Sequence, residues 1–274
     1  MEEQLNKEND VKERKVFTKK RILFVLFLLL IGVAIFLGFM LKNRKDEDDK
    51  QQKVIEKVQE EKKKKGVKKL HKKYKDMIGW VEIDGTDFSY PVMQTGVKGH
   101  HEEDWMYYLH KDVHENYSFY GTPFLDVRCT PDSDNLIIYG HNINDRRYFG
   151  YLQNFRTEEF FRKHKSFSFT KVNDVKTDYQ VVSVIETTKY ASYYDFTDYG
   201  NDQEYADAVS RILSGSKFHN DMNEQLKKEL NENTVEAFFH KYQFVSLSTC
   251  RTSEGRDKRL LVIGCRERKL IQEQ

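Results

Sequence analysis

Apolar residues follow three regimes along this chain. From residue 22 to 41 they run without a polar break, interrupted only by Gly32 and Gly38. About 20 apolar residues, each rising about 1.5 Å in a helix, match a hydrocarbon core about 30 Å thick, so the run predicts a transmembrane helix. A cleaved signal sequence is the competing reading, but its apolar region is shorter and small residues follow it. Here Lys42, Asn43, Arg44 and Lys45 follow, which favours an uncleaved anchor. The second regime starts at Val67, where Val67, Leu70, Tyr74, Met77 and Ile78 recur at the spacing of an amphipathic helix packed on a domain. The third, from Trp80 onward, breaks into short strand-like runs at 80–83, 88–93, 122–127, 136–139, 167–172, 179–185, 235–239, 242–247 and 260–263. Asp84-Gly85 marks a turn, Pro91 an edge strand or a strand start, and residues 100–104 a polar loop. Many short strands with turn signals between them predict an all-β barrel or sandwich.

One insert departs from that pattern. Asn201, with Glu204 three residues on, forms a capping box, and Tyr205, Ala208, Val209 and Ile212 form a helical stripe that Gly215 ends. A second, more polar helix is expected over 221–230. Both lie between the strands at 179–185 and 235–239.

Charge refines the plan at the N-terminus. Residues 1–21 are charged, mixed in sign and expected to be disordered. The cluster Lys12, Arg14, Lys15, Lys19, Lys20 and Arg21 favours a cytoplasmic N-terminus, although Lys42, Arg44 and Lys45 on the other flank weaken the bias. A short N-terminal tail and a long C-terminal domain point the same way. Residues 42–66 are rich in Lys and Glu and read as a solvated, partly helical tether, whose Lys62 to Lys65 run could touch anionic polymers or lipid heads. The expected plan is a cytoplasmic tail at 1–21, an anchor at 22–41, a tether at 42–66 and an extracellular domain at 67–274 of a single-pass membrane protein. The net charge of +2 argues against a nucleic-acid partner. Three cysteines, Cys129, Cys250 and Cys265, are too few and too odd in number for a disulfide framework, so at least one thiol is free. No spaced His, Cys or Asp cluster suggests a metal, and the acidic run Asp46 to Asp49 lacks the pattern of a calcium loop. No cofactor is expected.

The candidate chemistry lies near the C-terminus. The strand at 242–247 ends in Ser248, Thr249 and Cys250; a polar loop containing Gly255 follows, and Arg259 opens the next strand. Adjacent strands joined by a loop juxtapose these ends, here a thiol and a guanidinium. A nearby cation lowers a thiol's pKa, and the thiolate is the nucleophile. A cysteine nucleophile needs a proton shuttle, usually His. Of 9 His, His141 stands out because it follows an apolar strand and Gly140, which would let the backbone turn sharply. Taken singly, each residue has a blander reading: a buried small thiol, a solvated edge cation and a surface imidazole.

Together they carry a resemblance. Ser248-Thr249-Cys250, with Arg259 nine residues on and Leu260-Leu261-Val262 after it, resembles the TLxTC…R signature of sortases. Tyr139-Gly140-His141-Asn142 and the residues through Phe149 resemble the histidine segment of class B sortases. So do residues 78–94, Tyr107-Tyr108-Leu109 and Gly121-Thr122-Pro123-Phe124-Leu125-Asp126. The likeness spans residues 68–270, with its motifs in the family's order. Ser246 departs from it, standing where the family usually has Thr. Arg256 is an alternative to Arg259, although the Leu-Leu-Val that follows favours Arg259.

The resemblance implies a mainly β fold: an eight-stranded barrel with an N-terminal helix and a helical insert before the penultimate strand, behind one transmembrane helix. It implies transpeptidation at a Gram-positive cell surface. The Cys250 thiolate would attack a Thr carbonyl in a sorting motif near the C-terminus of a surface protein. His141 would serve as general acid and base and Arg259 as oxyanion stabiliser. A cell-wall amine, from a peptidoglycan precursor or cross-bridge, would take the acyl group from a Cys250 thioester. Leu109 and Ser248 would line the substrate groove. Two other readings stay open: a non-catalytic membrane-anchored β-domain that binds a wall component, and a purely hydrolytic cysteine protease. A papain-like enzyme fits poorly, since its Cys precedes its His in the chain.

Overall fold

The computed structural model describes residues 2–96, 104–143, 145–251 and 255–268, with side chains from residue 21 onward. Most of the polar loop expected at 100–104 lies outside the described residues. The chain divides into two compact units, Met1–Lys53 and Val54–Gln274. Helix α1 (Glu2–Lys65) begins in the first unit, so the tail expected to be disordered is helical, in line with its content of Lys and Glu, both good helix formers. Its apolar stretch from Ile22 to Leu41 is exposed, and α1 carries the one helical segment among the described residues long and apolar enough to cross a membrane.

The second unit is a closed eight-stranded barrel. Its strands are β1 (Met77–Glu82), β2 (Ser89–Met93), β3 (Phe124–Leu125), β4 (Asn135–Gly140), β5 (Ser166–Lys171), β6 (Lys176–Thr188), β7 (Tyr242–Cys250) and β8 (Lys258–Glu267). They pair around the barrel in the order β1-β2-β3-β4-β7-β8-β6-β5, and β5 closes on β1. The remaining helices are α2 (Val67–Lys73), α3 (Glu158–Lys163), α4 (Asp202–Ser214), α5 (Asp221–Glu232) and α6 (Val235–Phe238). Helices α4 and α5 form the expected insert. Asn201 caps α4 by accepting from the Glu204 amide at 2.8 Å, and Tyr205, Ala208, Val209 and Ile212 are all buried.

The insert explains why apolar residues fall on both faces of β7 and β8. Val245, Leu247, Leu260 and Val262 fill the barrel, while Phe244, Leu261, Ile263 and Cys265 on the opposite face pack beneath Tyr205, Val209 and Ile212 of α4. A strand covered on both faces needs no polar alternation.

Several elements differ from the sequence expectation. The helix from Val67 ends at Lys73, and Met77 and Ile78 open β1 instead. All five apolar positions are buried, so helical spacing alone could not show where helix becomes strand. Residues 235–239 hold a short helix, α6, because the Thr234 hydroxyl accepts from the Ala237 amide and caps its start. The expected strand at 122–127 shrinks to Phe124–Leu125. Pro91 sits inside β2, whose pairing to β3 is a single register at Met93, so few amide donors are required there. Gly140 is needed for space rather than for a turn: a Cβ there would collide with the buried Phe149 ring.

The tether also differs. Its second half belongs to the barrel unit: Ile55 and Val58 are 6% and 1% exposed, Gln59 donates to the Ser89 carbonyl at 2.7 Å, and Lys62 pairs with Glu82 at 2.6 Å. Two apolar residues three apart on a charged helix are enough to seat it. Val58→Ala should therefore lower the unfolding free energy by about 1–3 kcal/mol in urea titration. A chain starting at Val67 should melt below one starting at Val54; equal melting temperatures would contradict the packing of 54–65.

Candidate active site

Three strand ends build the floor of the site. β4 and β7 run parallel, with Gly140 opposite Thr249. β7 and β8 run antiparallel, and their last pair is Cys250 opposite Arg259. The thiol and the guanidinium thus lie on directly paired residues. His141 follows β4 immediately, and the Thr249 hydroxyl donates to the Gly140 carbonyl at 2.9 Å, pinning the strand end that carries the imidazole.

One cleft of about 700 Å³ is lined by Leu109, His141, Ser248, Cys250 and Arg259, the five residues singled out in the sequence. Its rim is apolar, with Trp105, Met106 and Val127 exposed. Arg256 is exposed and does not line the cleft. Its backbone carbonyl accepts from Arg259 Nη1 at 2.7 Å, and the Lys258 carbonyl accepts from the same nitrogen at 3.0 Å. Those bonds aim the Arg259 fork and, among the described residues, use only one of its three nitrogens.

His141 is held by the chain rather than by a carboxylate. Its Nε2 lies 2.9 Å from the carbonyl of Leu109, in the 3-10 turn Tyr107–His110. A carbonyl only accepts, so Nε2 carries the hydrogen and Nδ1 is the atom that gains and loses a proton. Burial pushes the His141 pKa below the usual histidine value; the Leu109 carbonyl opposes this, and the neighbouring His110, whose ring centroid is 5.5 Å away, adds to it. The role of the Leu109 carbonyl had no sequence signal, since any residue has one.

Two ionic groups fix the walls of the cleft, one behind its lining and one on it. Glu186 gathers Arg156 at 3.0 Å, Lys217 at 3.1 Å and Arg251 at 3.0 Å. Burial pushes its carboxyl up, and these cations outweigh that and hold it below the usual range. Arg251 follows Cys250 directly, so the cluster anchors the chain just past the thiol, while Gln153 Nε2 donates to the Cys250 carbonyl at 3.2 Å. On the other side Arg128 grips Asp126 with Nε and Nη2 at 2.9 and 2.8 Å, and Tyr139 donates to the same carboxylate at 2.8 Å. Burial pushes Asp126 up, but these bonds keep it below the usual carboxylate range. The Tyr139 ring stacks on Tyr194 with centroids 6.1 Å apart, and the Tyr194 hydroxyl is 2.8 Å from Ser248 Oγ. Burial pushes the Tyr194 phenol up to about 12, so it stays protonated at neutral pH. Nothing in the sequence singles out Arg128, Gln153, Glu186 and Tyr194, because the contacts that tie them to the site, such as Arg128 to the Tyr194 carbonyl and Gln153 to the Cys250 carbonyl, join residues far apart in the chain.

No family model matches this chain. Sortase B of Staphylococcus aureus (strain NCTC 8325 / PS 47) is 27% identical to it over 258 residues, 89% of this chain and 96% of that protein. Sortase B of Listeria monocytogenes serovar 1/2a is 26% identical over 254 residues, 87% of this chain and 93% of that protein. Among solved structures, sortase B from B. anthracis in complex with AAEK1 superposes with a TM-score of 0.65 at 25% identity, covering 81% of this chain and 99% of that one. A Staphylococcus aureus sortase B–substrate complex gives 0.60 at 26% identity, covering 83% and 98%. A sortase B complexed with triglycine gives 0.59 at 26% identity, covering 83% and 99%.

The buried imidazole makes stability depend on pH. A histidine whose folded-state pKa lies below its unfolded value contributes stability above the ordinary range near 6.5, and that stability is lost as pH falls. The unfolding free energy should therefore drop as pH is lowered below about 6.5, and the slope should be shallower in His141→Asn. Equal slopes would mean that His141 titrates alike in both states.

Proposed function

From its likeness to sortase B in sequence and fold, we propose that this chain is a membrane-anchored cysteine transpeptidase of the class B sortase kind. One observation carries the reading. Cys250 and Arg259 are a directly opposed strand pair, and His141 joins them on the lining of one cleft.

In this reading the Cys250 thiolate adds to the Thr carbonyl of a sorting motif. The carbonyl electrons move onto oxygen, and the oxyanion meets Arg259. The Nε and Nη2 hydrogens of Arg259 have no partner among the described residues, which leaves them for that oxygen. Collapse of the tetrahedral species expels the amine, which takes a proton from Nδ1 of His141, and a thioester remains on Cys250. An incoming amine then adds to the thioester and gives its proton to Nδ1, and collapse of this second tetrahedral species breaks the C–S bond, releasing the new amide and the Cys250 thiolate. Since burial lowers the His141 pKa, the imidazolium is a minority form at neutral pH. Only that fraction of molecules enters the first half-reaction. Leu109 contributes its side chain to the groove and its carbonyl to the imidazole. Ser248 lines the groove two residues before the thiol, on the same strand face.

The sortase B complexes with substrate and with triglycine support a peptide donor and an amine acceptor. A surface protein bearing a C-terminal sorting motif and a peptidoglycan amine are the proposed pair. The apolar segment at 22–41 would hold the enzyme in the cell membrane, N-terminus in the cytoplasm and barrel outside. A membrane-held substrate would then meet the site at raised effective concentration.

The test is a fluorogenic pentapeptide library, including Asn-Pro-x-Thr-x and Ser/Pro-Pro-x-Thr-Gly sequences, with triglycine present and products read by mass spectrometry. The wild type should cleave after Thr and form the ligated product. Cys250→Ala should do neither, and Arg259→Ala should lose about 10²–10³ in kcat, the usual cost of removing an oxyanion donor. Cleavage without ligation would favour the hydrolytic protease, and no cleavage at all would favour the binding domain.

A further inference from the structure

Arg128 joins two walls of the cleft that the barrel holds apart. The floor is formed by the ends of β4, β7 and β8, and in the barrel order β3 flanks those strands on one side and β6 on the other. Asp126 follows β3; Tyr194 lies in the 3-10 turn Ser192–Tyr194 between β6 and α4. A single guanidinium reaches both. While its Nε and Nη2 hold the Asp126 carboxylate, Nη2 also donates to the Tyr194 carbonyl at 2.8 Å. Tyr194 carries the link down to the floor, because its hydroxyl meets Ser248 two residues before Cys250. Asp126 and Ser248 are 3% and 2% exposed, so neither draws its partners from bulk water.

The bridge lies outside the packed core. Tyr139 and Tyr194 are partly buried residues packed against the barrel core rather than wholly within it, and the Arg128 side chain is 50% exposed. Removing it opens no cavity among apolar side chains. It frees the segment carrying Tyr190 and Tyr194, both of which line the cleft. An extended peptide seated between two walls is sensitive to their separation, because dispersion contact falls off within about an ångström.

Resting on the transpeptidase reading, we propose that Arg128 is a positioning residue. Through Tyr194 it sets how far the β6-side wall stands from the floor carrying Ser248 and Cys250, and so governs peptide binding rather than the chemistry of the thiol.

Steady-state kinetics on a pentapeptide cleaved by the wild type test this directly, with Arg128→Ala, Arg128→Lys, Tyr194→Phe and the double variant Arg128→Ala/Tyr194→Phe. Arg128→Ala should raise KM about tenfold and leave kcat within about threefold, the split expected when ground-state and transition-state binding are lost together. Tyr194→Phe should move KM in the same direction by less. The double variant should be no worse than Arg128→Ala, because both act through one link. Arg128→Lys, which keeps the charge but not the fork, should fall between. The rate of Cys250 alkylation by a small thiol reagent should match the wild type in every folded variant. If Arg128→Ala does not fold, Arg128→Lys and Tyr194→Phe carry the same split. A loss confined to kcat, additive effects in the double variant, or slowed alkylation would overturn the inference. A wild type that cleaves no peptide overturns the transpeptidase reading and this inference with it. A wild type that cleaves while Arg128→Ala keeps its KM overturns the inference alone.

Discussion

The register of β7 on β8 is the constraint on which the site depends. The two strands pair residue for residue from Tyr242–Glu267 to Cys250–Arg259 without a bulge. Side chains alternate with a period of two, so a slip of one residue would exchange the barrel-facing and insert-facing sets on one strand. It would also move Arg259 away from its place opposite Cys250. The slip is resisted on both faces, since Val245, Leu247, Leu260 and Val262 are wholly buried inside the barrel and Phe244, Leu261 and Ile263 are buried beneath the insert. The helical insert is thus more than an appendage, because it gives the outer face of these strands a second reason to keep their alignment.

The imidazole is handled differently from the thiol and the guanidinium. Cys250 and Arg259 are set by ladder pairing. His141 lies just past the end of β4 and is oriented by a backbone carbonyl from a turn some thirty residues earlier, at Leu109. A carbonyl partner fixes which nitrogen carries the hydrogen without adding a negative charge that would favour the imidazolium. With burial working against the cation as well, the site holds a neutral ring at rest. The ionic groups brace it from two sides: Glu186 with its three cations lies behind the chain after Cys250, and the Asp126–Arg128 pair lines the cleft beside Tyr139 and Tyr194. Both groups stiffen the strand ends; the Asp126–Arg128 pair is one-to-one, whereas Glu186 faces three cations.

Much of the architecture was legible in the chain. The anchor-length apolar run, the short-strand rhythm, the Asn201–Glu204 cap and the two-helix insert all follow from periodicities that local physics imposes. The Cys250–Arg259 pairing was legible too, because two adjacent strands joined by a loop can meet in few ways. What misled were places where one pattern serves two structures. Val67 to Ile78 keeps a helical spacing of buried residues across a helix and the start of a strand. The run 235–239 looks like a strand until the Thr234 cap is recognised. The Lys- and Glu-rich segment 54–65 reads as a solvated spacer, yet Ile55 and Val58 are enough to seat it on the barrel unit.

By itself the sequence determined the residue types available for chemistry, the strand ends that carry Cys250 and Arg259, and the segments that must be buried, since each follows from neighbours close in the chain. Only the tertiary structure decided that Arg259 rather than Arg256 faces the cleft, that Leu109 holds His141, and that Arg128 ties Asp126 to Tyr194. Those contacts join parts of the chain far apart in sequence or depend on which way a loop folds back. Their energy comes from hydrogen bonds and charge pairs that exist only once the barrel has closed.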